Sequence, residues 1–231
     1  MSVNPIQPGV LIFVGLALAC YARPANAELI VSDLIVELSA NDSARKDIEV
    51  WNDSNERSYV EILADEVLNP GTDSEKRIRE SDPEILGLLV SPNRMILEPG
   101  QRKLLRIARI SRDPSRERIY RIAVKPVVGE LAGEASGLKV LIGYDILVIA
   151  RLAHPVAQIS GSRDGKILIV RNDGNSSAEL VNGRQCDANK QCTNLPGKRL
   201  YGGATWKQNL PASGTVEYSV KIGKDFTPIQ F

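Results

Sequence analysis

From residue 29 onward the sequence alternates apolar and polar side chains over short runs, and Asn, Asp, Gly and Pro cut one run from the next. A period of two gives a pleated strand one apolar face, whereas a helix needs apolar residues at every third or fourth position. No long stretch with helical spacing is present. Strands are expected over residues 29–38, 47–52, 58–68, 95–97, 103–110, 117–128 and 138–151, the last being the longest β signal of the chain. Asn69-Pro70-Gly71 breaks the pattern, and the charged residues 72–83 read as a loop with one helical turn. In Glu98-Pro99-Gly100-Gln101, proline fixes φ and glycine accepts a positive φ, which predicts a tight turn. Past Pro155 the runs shorten, at 166–171, 178–181, 199–201, 205–208 and 216–222. Short strands spaced by turn residues are the pattern of antiparallel sandwiches. The predicted fold is all-β, with two β-sandwich domains at 28–152 and 155–231 and no repeat of fixed period.

Residues 1–27 read as an export signal. An apolar run from Val10 to Ala19 is followed by Ala25-Asn26-Ala27, small residues that place a cleavage before Glu28. The run is too short to span a bilayer, so the mature chain is expected to carry no integral membrane segment. No Lys or Arg precedes it, which leaves the amino terminus to supply the usual positive charge. Cys20, after Ala17-Leu18-Ala19, offers a competing reading as a lipid-attachment site, disfavoured by the good cleavage site downstream. The full chain has 29 Lys and Arg against 28 Asp and Glu, and the leader removes only Arg23 from that balance. A neutral mature chain argues against a general nucleic-acid binder.

Export also sets the reading of the cysteines. Cys186-Asp187-Ala188-Asn189-Lys190-Gln191-Cys192 holds the two that follow the leader, and an oxidising compartment favours a disulfide between them. A loop this small stabilises by about 2–2.5 kcal/mol on the chain-entropy model. The alternatives are two free thiols or a zinc site, and the latter lacks partners because His154 is the one histidine. No Cys-x-x-Cys spacing points to redox chemistry. Nor does the sequence show a phosphate loop, a His-Glu pair or a nucleophile elbow, and Asp42, Asp53 and Asp73 lie in turn-like segments where they bend backbone. No enzyme activity, cofactor or metal is expected.

Several separated motifs resemble the periplasmic pilus-assembly chaperones of the chaperone–usher pathway. Ser91-Pro92-Asn93-Arg94-Met95-Ile96-Leu97-Glu98-Pro99-Gly100-Gln101, then Leu105-Arg106-Ile107, is similar to that family's Ser/Thr-Pro, apolar strand, Pro-Gly-Gln turn and Leu-Arg-Ile strand. Arg116-Glu117-Arg118-Ile119-Tyr120 resembles its Arg-Glu-x-x-Tyr region, and Val50-Trp51-Asn52 its Val/Ile-x-Asn. Asn172-Asp173-Gly174-Asn175, the close cysteine pair and Leu195-Pro196-Gly197-Lys198-Arg199 resemble the divergent common-pilus and colonisation-factor branch.

The resemblance implies two immunoglobulin-like domains in an L-shaped arrangement and a periplasmic location. The implied partners are pilus subunits and an outer-membrane usher; an exposed apolar strand edge would in addition favour self-capping or a homodimer when no pilus subunit is bound. It also implies donor-strand complementation, in which the chaperone lends a strand to a subunit that lacks one. The strand would lie within residues 138–150, with Leu138, Val140, Ile142 and Tyr144 on the donated face. Classical members of the family anchor the subunit's terminal carboxylate with an Arg on the first strand and a Lys on the last strand of domain one. Here Leu34-Ile35-Val36-Glu37 has no basic residue, and Ile146 or Leu147 stands where the Lys is expected. Arg121, Lys139 and Arg151 are the remaining basic candidates. A secreted structural or adhesive sandwich protein, such as a pilus subunit, is the competing function. The export reading predicts that amino-terminal sequencing of the secreted protein begins at Glu28, and a mature chain starting at a lipidated Cys20 would overturn it.

Overall fold

The computed structural model describes residues 29–39, 44–110, 115–127, 141–187 and 189–231. The first half contains β1 (Leu29–Val31), β2 (Ile35–Leu38), β3 (Arg45–Asn52), β4 (Ser58–Leu68), β5 (Lys76–Arg79), α1 (Pro83–Leu86), β6 (Leu88–Ser91), β7 (Arg94–Leu97), β8 (Arg102–Arg109), β9 (Arg118–Val127) and β10 (Tyr144–Ala150). The second contains β11 (Ile159–Asp164), β12 (Ile167–Asn172), β13 (Ala178–Cys186), β14 (Cys192–Asn194), β15 (Lys198–Leu200), β16 (Thr205–Asn209), β17 (Val216–Ile222) and β18 (Asp225–Gln230). The all-β expectation holds. The helical turn expected within residues 72–83 begins only at the last of them, as α1, and the stretch also holds the strand β5.

One sheet runs β1-β3-β8-β6 and faces a second, β2-β10-β9-β4-β5, in which β7 also pairs with β4. Alternate residues of both sheets, among them Leu38, Ile48, Leu105, Tyr120, Ile122, Ile146 and Val148, fill one core. In the second half β11-β12-β16 packs against β14-β13-β17-β18, with β15 also on β13, around Leu168, Val170, Leu180, Val216 and Tyr218. The expected first strand is in fact two. Residues 32–34 interrupt it, so that β1 joins β3 while β2 crosses to the other sheet and pairs in parallel with β10.

The two sandwiches are built around the same corner. Asn52, at the end of β3, is fully buried; its Nδ2 donates to Glu56 O at 2.6 Å and Leu97 O at 3.1 Å, and its Oδ1 accepts from Ser54 N at 3.0 Å. Asn172, at the end of β12, is equally buried; it donates to Ser176 O at 2.9 Å and Leu200 O at 3.0 Å and accepts from Gly174 N at 3.0 Å. Each asparagine's backbone carbonyl also takes the amide of a glycine with positive φ, Gly100 in one half and Gly203 in the other. The Glu98-Pro99-Gly100-Gln101 turn is as predicted, with Gln101 N donating to Glu98 O at 2.9 Å. Aligned this way, the halves share a device that the sequence shows only as two Asn-Asp pairs.

The paired cysteines form a disulfide across the β13–β14 hairpin, where Cys186 and Cys192 are direct neighbours. Replacing either corner asparagine with alanine leaves buried carbonyls and amides unpaired, each worth about 1–3 kcal/mol. Asn52→Ala and Asn172→Ala are each expected to destabilise their own sandwich by about 3 kcal/mol in urea unfolding, and a loss below about 1 kcal/mol would contradict the role given to the corner.

Candidate functional site

Strand β10 has two unlike parts. From Ile146 to Ala150 every residue is buried, β9 pairs with one edge, and β2 pairs with the other from Leu147 onward. Both faces are used: Ile146, Val148 and Ala150 enter the first core, while Leu147 and Ile149 join Val67 and Ile119 on the opposite face of the sheet. This half is consumed by its own fold and cannot be lent, which shortens the strand expected to be donated over 138–150.

Upstream the situation changes. Tyr144 and Asp145 pair only with Val124 and Ala123 of β9. Leu147 N donates to Leu34 O, so by the alternation of the ladder the odd-numbered residues turn their backbone groups toward the β2 side. No described strand covers that edge at Gly143 and Asp145. Ile142, two residues before Tyr144, has 57% of its surface exposed. Tyr144 itself packs on the core and donates its hydroxyl to Leu29 O at 2.8 Å, so it serves its own sandwich. Leu138, Lys139 and Val140 lie outside the described residues.

The outward face of this sheet meets the second sandwich. Arg151 is the centre of the contact, with its side chain 7% exposed. It forks onto Glu37 at 2.9 and 3.1 Å and donates to Glu117 at 2.9 Å, Ser176 Oγ at 3.1 Å and Ser177 O at 3.0 Å. Glu117, 4% exposed, also accepts from Ser176 Oγ at 2.6 Å and Ser177 N at 3.0 Å. Beside this polar node Tyr201 packs against Val67, Ile119, Leu147 and Ile149. A Cβ on Gly71 would stand 3.1 Å from the Tyr201 ring, so a residue with no side chain lets the β4–β5 turn close on it.

Arg151 therefore cannot anchor a foreign carboxylate, because its donors are already committed within the chain. Arg121 differs. Its Nη1 lies 3.5 Å from Asp145 O and 3.9 Å from Asp145 Oδ2, and 31% of the side chain is exposed. It stands next to Leu147 across the ladder. Sequence reasoning missed Glu37, Ser176, Ser177 and Tyr201; Glu117 carried a signal in the Arg-Glu-x-x-Tyr motif, but its partners come from the other sandwich. Among the described residues no group of three or more His, Cys, Asp or Glu could hold a metal, and no helix is long and apolar enough to cross a membrane.

No protein-family profile matches the chain. A CFA/I fimbrial subunit of Escherichia coli is 28% identical over 162 residues, spanning 67% of this chain and 66%, just under two thirds, of that protein. The solved structure of the class 5 fimbriae chaperone CfaA matches with a TM-score of 0.69 at 21% identity, over 88% of this chain and 97% of its own. A chain of the CsuC–CsuE chaperone–tip adhesion subunit pre-assembly complex of Acinetobacter baumannii matches with a TM-score of 0.60 at 16% identity, over 88% and 98%. The chain thus has the fold of the fimbrial chaperones.

Removing one member of a buried ion pair strands the other charge. Arg151→Ala is expected to destabilise the protein by about 3 kcal/mol in urea unfolding, and an unchanged midpoint would deny the node its structural role. Burial alone would raise the Glu37 carboxyl, but hydrogen bonding and charge from Arg151, with Arg199 and Lys221 behind it, hold it below the usual value. Its contribution is then complete above the pKa of an unfolded-chain glutamate and is lost as pH falls through the lower folded value.

Proposed function

We propose that this chain is a periplasmic chaperone that binds and stabilises pilus subunits by donor-strand complementation and passes them to an outer-membrane usher. The observation that carries the reading is the strand edge upstream of Ile146. Among the described residues no strand covers it on the β2 side; it is apolar and exposed at Ile142 and continuous with a half-strand locked on both edges. A strand held on both edges at one end and on one edge at the other is suited to completing a foreign sheet, because main-chain hydrogen bonds supply affinity and alternate side chains enter pockets. The donated face consists of Leu138, Val140 and Ile142, with Tyr144 left to the chaperone's own core.

Residues 28–152 form the lending domain and 155–231 its companion, held at a set angle by the Arg151 node. Arg121 receives the client's terminal carboxylate, in place of the basic residues absent from β2 and β10. Lys139, one residue from Leu138 and Val140, is a second candidate on the same segment. Without a client the open edge pairs with a second copy of the chain, since unpaired apolar strand edges associate. The action is binding, with no catalytic step assigned.

A relative named as a fimbrial subunit supports a structural role instead, and the two roles separate on purification. A chaperone gives a soluble one-to-one complex with a co-expressed fimbrial subunit, whereas a structural protein polymerises. Ile142→Asp places a charge in the client's groove while touching an exposed position of the chaperone. Periplasmic levels of the co-expressed client are expected to fall at least about tenfold, the change that 1.4 kcal/mol produces, with the chaperone's own Tm unchanged. Client levels equal to those with the parent chaperone would remove the donor-strand assignment.

A further inference from the structure

Two acids on the outward face of the six-stranded sheet are each gripped by an arginine of β5. Arg79 forks onto Asp65 at 2.7 and 2.9 Å, and Arg77 reaches Asp145 with two nitrogens at 2.7 and 3.2 Å. Arg121 lies between these pairs, opposite Asp65 on one side of the ladder and Leu147 on the other. A hydrogen-bonded guanidinium–carboxylate contact is about 2.7–2.9 Å, so the 3.9 Å separation from Asp145 Oδ2 is a long ion pair without a hydrogen bond to that carboxylate. Among the described residues the carboxylate contact of Arg121 is this long ion pair with Asp145, beside a 3.5 Å hydrogen bond to Asp145 O. The side chains of Arg77 and Asp145 are 46% and 41% exposed, which leaves both free to rearrange.

We propose that Arg77 and Asp145 together set how available Arg121 is to an incoming carboxylate: Asp145 is a built-in competitor, and Arg77 holds it away. A shift of about 1 Å would bring Asp145 from its present distance to bonding distance of Arg121. The fork from Arg77 opposes that shift, so Arg121 keeps donors for an external anion. The inference rests on Arg121 being the anchor named in the proposed function, and the experiment separates the failure of one from the failure of the other.

Acetate is titrated into the folded full-length mature protein at constant ionic strength, with acetamide as the neutral control, and the Arg121 Nε–Hε resonance is followed by NMR. Asp145→Asn is expected to tighten acetate binding about two- to fivefold, the range of an exposed ion pair. Arg77→Ala is expected to weaken it by a similar factor, because Asp145 then turns to Arg121. The double variant decides the mechanism. If Asp145 is the competitor and Arg77 acts only through it, Arg77→Ala/Asp145→Asn binds acetate as tightly as Asp145→Asn alone. If the two residues act merely as additive charges, the double variant returns to the affinity of the parent protein, and the proposal is overturned. An Arg121 resonance that acetate moves equally in all four proteins also overturns it while leaving the anchor intact. A resonance that acetate moves in none of them overturns both.

Discussion

Among the described residues strand β10 is paired along both edges at one end and along one edge at the other, and the proposed function depends on that asymmetry. Between Leu147 and Ala150 the backbone is held by β9 and by the parallel strand β2, and the side chains are buried on both faces. Such a segment has no freedom to slip, since a shift of one residue would exchange its two apolar faces. The described residues just upstream, Tyr144 and Asp145, continue in register on β9 alone. In the proposed function, binding to a subunit that lacks a strand would then come with little ordering cost on this chain's side.

The second constraint is the joint between the sandwiches. Arg151 follows directly on β10, so the strand that carries the open edge also carries the residue that locks the two halves. A buried ion cluster of this kind adds less to stability than its bonds suggest, because desolvation of the charges opposes their attraction. Its geometry, however, admits one arrangement of Glu37, Glu117, Ser176 and Ser177, and Tyr201 fills the apolar remainder. The outward face that meets the second sandwich thereby ends in a charged border of Arg77, Arg79, Arg121, Asp65 and Asp145. Charge pairing across that border leaves one cation lightly held.

Much of this was readable in the residues. Alternation placed β3, β4, β8, β9 and β17 to within a few positions, because each has one face in a core and the burial pattern repeats the polarity pattern. The strands without that pattern were missed. β5 is Lys-Arg-Ile-Arg and exposed throughout, β11 is polar after its first residue, and β18 is an exposed edge strand containing Pro228. These are strands because a neighbour offers them hydrogen bonds, and no local propensity reports the presence of a neighbour.

The candidate site divides along the same line. The sequence alone determined the class of fold, the turn at Pro99-Gly100, the Cys186–Cys192 pair, the family resemblance and the apolar character of residues 138–150, since all of these follow from local spacing and composition. Only the tertiary structure decided that Ile146 to Ala150 is sealed, that Tyr144 belongs to its own core, that Arg151 is spent on the joint and that Arg121 is not. Whether a basic side chain is free depends on which acids the folded chain brings within about 3 Å of it, and for Arg151 those acids lie 114 and 34 residues away along the chain.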